Sequence, residues 1–291
     1  MSRDWLSRVV DDRGPLEPVP TKQTAKLRPI DHIDVVLVDV YGTLLISGSG
    51  DVGVADEVAD GSDIVVEVAR SMNLERPNDM PTVIDVRRQI RQTNAAMLGK
   101  DNPKPEVEIL DIWRQVLGQH GRSDLADQPR VVASLAAATE ARLNPTWPMP
   151  GAVEALRWLR GKGIKLGIVS NAQEFTVLLI EDLIGGHLED WFDLNLCFFS
   201  HRFRTAKPAL GLFDRAIAEL ARCGVRPERA AYIGNDMLND VWAASQVGLR
   251  TILFAGDARS LRLRRDQPTC AELKADVVLT DWNQLVECFA V

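Results

Sequence analysis

The amino-acid sequence predicts an α/β protein built on a doubly wound parallel sheet, with an all-helical cap domain inserted after the first strand. Short apolar runs ending in polar or glycine-rich residues recur along the chain. They are near-continuous rather than alternating, the pattern of strands buried on both faces. From Gly151 onward these runs alternate with helix-period segments, which implies right-handed crossovers and helices on both sheet faces. Between residues 47 and 147 the alternation stops, and the spacing is helical with no strand run.

Taken in order, residues 1–30 are polar, proline-containing and of mixed charge. They read as an extended N-terminal arm on the surface or on a partner subunit, which leaves a homodimer open. The first strand is the β-branched run Ile33–Val40, ending in Tyr-Gly-Thr. Four helices follow, over Ser62–Met72, Pro81–Leu98, Glu106–Leu117 and Pro129–Leu143. Pro129 suits a first helical turn, and Asn144-Pro145 ends the last helix because the residue before proline avoids the α region. The rest of the sheet comes from Lys165–Asn171, Leu194–Phe199, Ala230–Gly234, Thr251–Ala255 and Asp276–Leu279. Helices over Ala152–Arg160, Leu212–Ala221 and Asp240–Ser245 connect them; the first places Val153, Leu156 and Leu159 on one side and stops at Gly161-Lys162-Gly163. The chain thus divides into the arm, an α/β core formed by residues 31–46 and 148–291, and a cap spanning 47–147.

Composition narrows the function classes. A chain of 291 residues with 46% hydrophobic content can bury a sizeable core. Its net charge of −7 opposes general nucleic-acid binding, which needs a positive field to release phosphate counterions. No apolar stretch is long enough to cross a bilayer, and the arm has no apolar signal-peptide centre. Cys197, Cys223, Cys270 and Cys288 form no CxxC pair and read as buried reduced thiols, pointing to the cytoplasm.

In an open parallel sheet ligands bind at the carboxyl ends of the strands. There the sequence places Asp39-Val40-Tyr41-Gly42-Thr43-Leu44, then Ser170-Asn171, then Lys207-Pro208 in the loop region after the third strand. The fourth strand runs into Gly234-Asn235-Asp236-Met237-Leu238-Asn239-Asp240. A carboxylate, a hydroxyl with an amide, an ammonium and two further carboxylates at one edge suit nucleophilic displacement assisted by a cation. In order, strand context and spacing, these four stations resemble the haloacid dehalogenase-like hydrolase superfamily across residues 33–257, with its Rossmann-like core. The insertion resembles the helical cap of one subclass.

The resemblance implies a role for each residue. Asp39 would be the nucleophile and form a covalent aspartyl intermediate. Thr43 and Ser170 would hydrogen-bond the transferring group, Asn171 would help orient it, and Lys207 would hold Asp39 ionised. In the family's phosphatases Mg²⁺ is bound by the first Asp, the backbone carbonyl two residues on (here Tyr41) and an acid of the last motif. Two registers fit that last motif: one puts Asn235 at the ligand position, the other Asp236. The second keeps the Asp236-x-x-x-Asp240 spacing and is preferred, with Asp240 a ligand, an outer-shell group or the partner orienting Lys207.

Tyr41 departs from the phosphatase pattern, which has Asp there as general acid and base. A Tyr hydroxyl, with a pKa of about 10, is a poor base near neutrality. Asp-x-Tyr-Gly-Thr resembles instead the metal-free 2-haloacid dehalogenases, whose halide departs without a proton. Those enzymes also usually carry Tyr six residues after the Lys, where this chain has Phe213. The leading expectation is a Mg²⁺-dependent phosphatase acting on a small, anionic phosphorylated metabolite. The alternatives are a 2-haloacid dehalogenase using the same Asp39, and a catalytically weakened ligand-binding protein. Outside these motifs, Arg259, Arg262, Arg264 and Arg265 read as a solvated loop, and Arg87, Arg88 and Arg91 as a solvent-facing helix side. His120 and His201 read as structural, and Trp113, Trp147 and Trp158 as packing.

Overall fold

The computed structural model describes residues 15–50 and 63–289. Residues 1–14 of the arm, 51–62 at the start of the cap and 290–291 lie outside the described residues. Strands β1 (Val35–Val38), β4 (Lys165–Ser170), β5 (Cys197–Phe199), β6 (Ala230–Gly234), β7 (Arg250–Phe254) and β8 (Val277–Leu279) form one sheet. Its order is β5-β4-β1-β6-β7-β8, and every pairing is parallel. After β1 the chain adds strands on one side, then crosses back to the other, so the crevice of a doubly wound sheet opens at the carboxyl ends of β1, β4 and β6.

The continuous apolar runs are explained by burial on two faces. Val36, Val38, Ile168 and Ile233 point into one core with Leu156, Leu159 and Ile180 from the helices Ala152–Gly161 and Phe175–Ile184. Val35, Leu37, Val169 and Tyr232 point into another with Leu212, Phe213, Ala216 and Leu220 from the helix Gly211–Arg222. Gly167 sits where the sheet tolerates no side chain: a Cβ there would lie 2.5 Å from the Leu196 carbonyl oxygen and 2.6 Å from Leu37 Cδ2.

The inserted region folds as the helices Ile64–Ser71, Val83–Met97, Ile109–Gln119 and Pro129–Leu143. They share a core of Val65, Val68, Val86, Ile112, Trp113, Val116, Leu117, Val132 and Leu135. Thr82 and Asp85 form a reciprocal capping box at the start of the second helix. A short antiparallel pair, β2 (Leu45–Ser47) with β3 (Thr146–Pro148), ties the two ends of the insertion together. The sequence reading has no counterpart for this pair, because three residues per strand are too few to show a period.

Along residues 15–30 the arm lies on its own core. Lys26 exchanges backbone hydrogen bonds with Val278 on the edge strand β8, and Thr21 Oγ1 donates to the Ala255 carbonyl at 2.7 Å. Covering an open edge in this way removes a template for unwanted strand pairing. Cys223 is exposed, against expectation, while the other three cysteines are buried and free. No helix among the described residues is long and apolar enough to cross a membrane.

Candidate active site

The strand ends bring together the groups that the sequence distributes over about 200 residues. Lys207 is the hub. Its side chain is 2% exposed, and Nζ donates to Asp39 Oδ1 at 2.8 Å, Asp240 Oδ1 at 2.6 Å, Tyr232 Oη at 2.8 Å and the Val169 carbonyl at 3.2 Å. Burial alone would pull the ammonium pKa down; the Asp240 and Asp39 charges outweigh it and push it above the ordinary lysine value. Asn171 braces this lysine from the backbone, accepting from the Lys207 N–H at 2.8 Å and donating to its carbonyl at 3.2 Å.

Asp39 follows directly on β1, anchored by its N–H to the Ile233 carbonyl at 2.9 Å. The chain must then turn at once, and Gly42 permits it with φ of 77°. A Cβ at Gly42 would also lie 2.5 Å from Asn235 Nδ2 and from Ser260. The Ser170 hydroxyl is fully buried and has no hydrogen-bond partner among the described residues. Thr43, also fully buried, donates to Asn235 Oδ1 over a long 3.4 Å. Tyr41 turns its hydroxyl to Thr176 Oγ1 at 3.0 Å. Burial, and after it the charge of Glu140, pushes that phenol well above its ordinary range.

Asp236 and Asp240 flank a wide turn. The segment Met237–Trp242 is π-helical and continues as the helix Ala243–Gln246, so the turn begins earlier than the expected start at Asp240. The wider turn returns Asp240 Oδ2 to within 2.9 Å of the Asp236 N–H while Oδ1 meets Lys207; such turns concentrate at functional sites. Asp236 Oδ1 accepts from the N–H groups of Leu238 and Asn239 at 2.8 and 3.1 Å. Asp39, Tyr41, Asn171, Lys207, Asn235, Asp236 and Asp240 all border one cavity of about 60 Å³. Both residues of the two-register question therefore reach the site.

Burial raises the Asp240 carboxyl pKa to about 6, against the opposing pull of Lys207. In the metal-free protein a carboxyl NMR titration should place the Asp240 midpoint near that value; a midpoint at the ordinary 3.8 would contradict the burial argument. A carboxyl whose folded pKa is raised stabilises the fold below its unfolded pKa and loses that contribution as pH rises through about 6.

A larger cavity of about 450 Å³ adjoins the small one at Asn171 and runs beneath the cap helices. Arg87, Arg91, Glu106 and Glu140 line it with Trp113 and Phe175. Burial raises the pKa of both glutamates.

The haloacid dehalogenase-like hydrolase family profile matches residues 33–248, which contain every one of these groups except Ser260 and the arginines after β7. The chain belongs to the haloacid dehalogenase-like hydrolase family. Similar proteins include haloacid dehalogenase-like hydrolase domain-containing protein 3 of Xenopus laevis, 36% identical over 36% of this chain and 40% of that protein. Glyceraldehyde 3-phosphate phosphatase of Methanothermobacter thermautotrophicus is 32% identical over 36% of this chain and 44% of its own length. Phosphoglycolate phosphatase 1 of Pseudomonas aeruginosa is 28% identical over 45% and 50%. The matches thus span half or less of these relatives. Among solved structures, a 2-haloacid dehalogenase from Pseudomonas syringae pv. Tomato superposes with a TM-score of 0.59 at 18% identity, covering 88% of this chain and 97% of that one. It shows the shared fold.

Two expectations about arginines change in this hydrolase. Arg87 and Arg91 both border the large cavity, Arg87 half-buried and Arg91 still exposed to solvent as expected, while the exposed Arg88 pairs with Asp85 at 2.9 Å. Of the segment after β7, Arg262 lines the small cavity and Arg264 grips Asp236, so the segment is not a plain solvated loop. Tyr232, which no motif marks, is a full member of the Lys207 cluster, donating to the Val169 carbonyl at 2.6 Å. Its one signal was a hydroxyl inside the buried run Ala230–Gly234. His201 bonds the carbonyl of Ala172 at 2.8 Å and His120 approaches Asp85 at 3.5 Å, and neither histidine lines either cavity.

Proposed function

We propose that this hydrolase is a Mg²⁺-dependent phosphatase of a small phosphorylated metabolite, working through an aspartyl-phosphate on Asp39. The observation that carries the reading is the buried Lys207 ammonium shared by Asp39 and Asp240, with the buried hydroxyl of Ser170 that has no partner among the described residues. A buried donor with no partner costs stability unless something arriving satisfies it, and a phosphate oxygen would. The phosphatase names among the relatives point the same way.

The donor set fits the metal. Asp39, Tyr41 and Asp236 border the same small cavity, offering two carboxylates and a backbone carbonyl. Among the described residues no group of three His, Cys, Asp or Glu is placed to hold an ion. Two carboxylates and a carbonyl, completed by water, suit Mg²⁺, which keeps several waters. When bound, the ion supplies charge neutralisation on the phosphate oxygens. Lys207 holds Asp39 in place through the 2.8 Å ion pair, and the Asp39 carboxylate attacks phosphorus as the bond to the leaving group breaks. Ser170 and Thr43 hydrogen-bond the transferring group, while Asn171 positions Lys207. Tyr41, with its hydroxyl high in pKa and bonded to Thr176, is a poor proton donor. The reaction therefore favours leaving groups that depart without a proton, as from an acyl phosphate or an acidic phosphoester. The large cavity is where that leaving group lies, its arginines favouring an anionic one.

The second reading, 2-haloacid dehalogenation, draws support from Tyr41 alone. Phe213, at the position where those enzymes usually carry Tyr, is buried edge-on against Tyr232 at 5.0 Å. One experiment separates the two: phosphate release from a panel of phosphoesters and acyl phosphates, and halide release from 2-haloacids, each with Mg²⁺ or with EDTA. Phosphate release that EDTA abolishes is expected. Halide release that survives EDTA would replace the phosphatase reading with the other.

A further inference from the structure

The segment Ser260–Arg264 is zipped to the loop after β6. The Arg262 N–H donates to the Asn235 carbonyl at 3.0 Å, the Met237 N–H to the Arg262 carbonyl at 2.8 Å, and Asn235 Nδ2 to the Ser260 carbonyl at 2.7 Å. These bonds bring Arg264 alongside Asp236 in a left-handed conformation, φ 49°, which a side-chain-bearing residue adopts only at a cost. Its guanidinium then grips both carboxylate oxygens: Nε lies 3.2 Å from Oδ1 and 3.1 Å from Oδ2, and a terminal nitrogen 2.6 Å from Oδ2. The Asp236 side chain is 8% exposed, so this fork is shielded from water on the acid's side. Charge explains why a cation is held there. Asp39, Asp236 and Asp240 bring three negative charges to one small cavity, and Lys207 meets only Asp39 and Asp240.

We propose that Arg264 is a built-in rival of the metal: its guanidinium occupies the Asp236 carboxylate, and Mg²⁺ binds there only as that fork is displaced. The proposal rests on Asp236 being a metal ligand. Mg²⁺ needs a carboxylate oxygen at close range and tight octahedral geometry, whereas the fork already uses both oxygens in charge-assisted bonds. Two cations on one carboxylate repel, so Arg264 and Mg²⁺ weaken each other's hold by the same factor. Arg264 thereby sets the metal affinity of the site.

Isothermal titration of the 291-residue chain with MgCl₂ tests this. Arg264→Ala should tighten Mg²⁺ binding about tenfold. Arg264→Lys should tighten it less, since it keeps the charge and loses the fork. Asp236→Asn should abolish binding. In the unmutated protein the Arg264 Nε–H resonance should shift as Mg²⁺ is added, a readout that needs no variant to fold. Mg²⁺ affinity unchanged or weakened in Arg264→Ala, with binding still lost in Asp236→Asn, would refute the rivalry and leave Asp236 as ligand. An Arg264 resonance that stays still through saturation would refute it equally. Asp236→Asn binding Mg²⁺ like the unmutated chain would overturn the ligand reading, and the proposal with it.

Discussion

Asp39→Asn should reduce turnover by at least about four orders of magnitude, the scale seen when a covalent nucleophile is removed, while leaving the fold intact. The substitution keeps the shape of the side chain. It also leaves Lys207 paired with Asp240 at 2.6 Å and Tyr232 at 2.8 Å, so the buried ammonium is not stranded. Steady-state assays on the best substrate of the panel, beside a thermal melt, check both halves. A variant retaining a tenth of the activity would show that Asp39 is not the attacking group.

Lys207→Met should be the opposite kind of variant, failing in stability as well as in rate. The ammonium meets four oxygens, and its removal leaves Asp39 and Asp240 buried close together with no cation between them. Removing one partner of a buried charge pair typically costs about 3–5 kcal/mol, which for a chain of this size lowers Tm by roughly 10 °C. Part of that loss should be recovered as pH falls, because Asp240, already raised to about 6 by burial against the pull of Lys207, takes up a proton more readily once the lysine is gone. Thermal melts across pH 5–8 check this. A melting temperature unchanged at pH 8 would mean that the lysine is not what balances the buried acids.

Much of the fold was legible because burial leaves a period in the chain. The runs around β1, β4, β6 and β7 are apolar at consecutive positions, and the structure shows why: Val35 and Leu37 enter one core, Val36 and Val38 the other. The four longer helices described in the cap were legible from their spacing and from stops such as Asn144-Pro145. The π-helical turn at Met237–Trp242 was not, since an α-period reading has no room for the extra residue that lets Asp236 and Asp240 both reach the cavity. The pair β2 with β3 was too short to read.

By itself the sequence determined that a carboxylate, a hydroxyl, an ammonium and two acids stand at strand ends in the order Asp39, Ser170, Lys207, Asp236 and Asp240. A parallel sheet delivers such ends to one edge whatever the detail, so their meeting needed no coordinates. Only the tertiary structure decided what surrounds them. Tyr232 joins Lys207 because β6 lies beside β1; Arg264 reaches Asp236 because a loop after β7 zips to one after β6; and Arg87 is half-buried because its helix borders a cavity shared with the loop after β4. Each is a contact between segments far apart in the chain, set by how layers pack and not by any local spacing of residues. An arginine on a loop or an amphipathic helix reads as solvated until the surface opposite it is known.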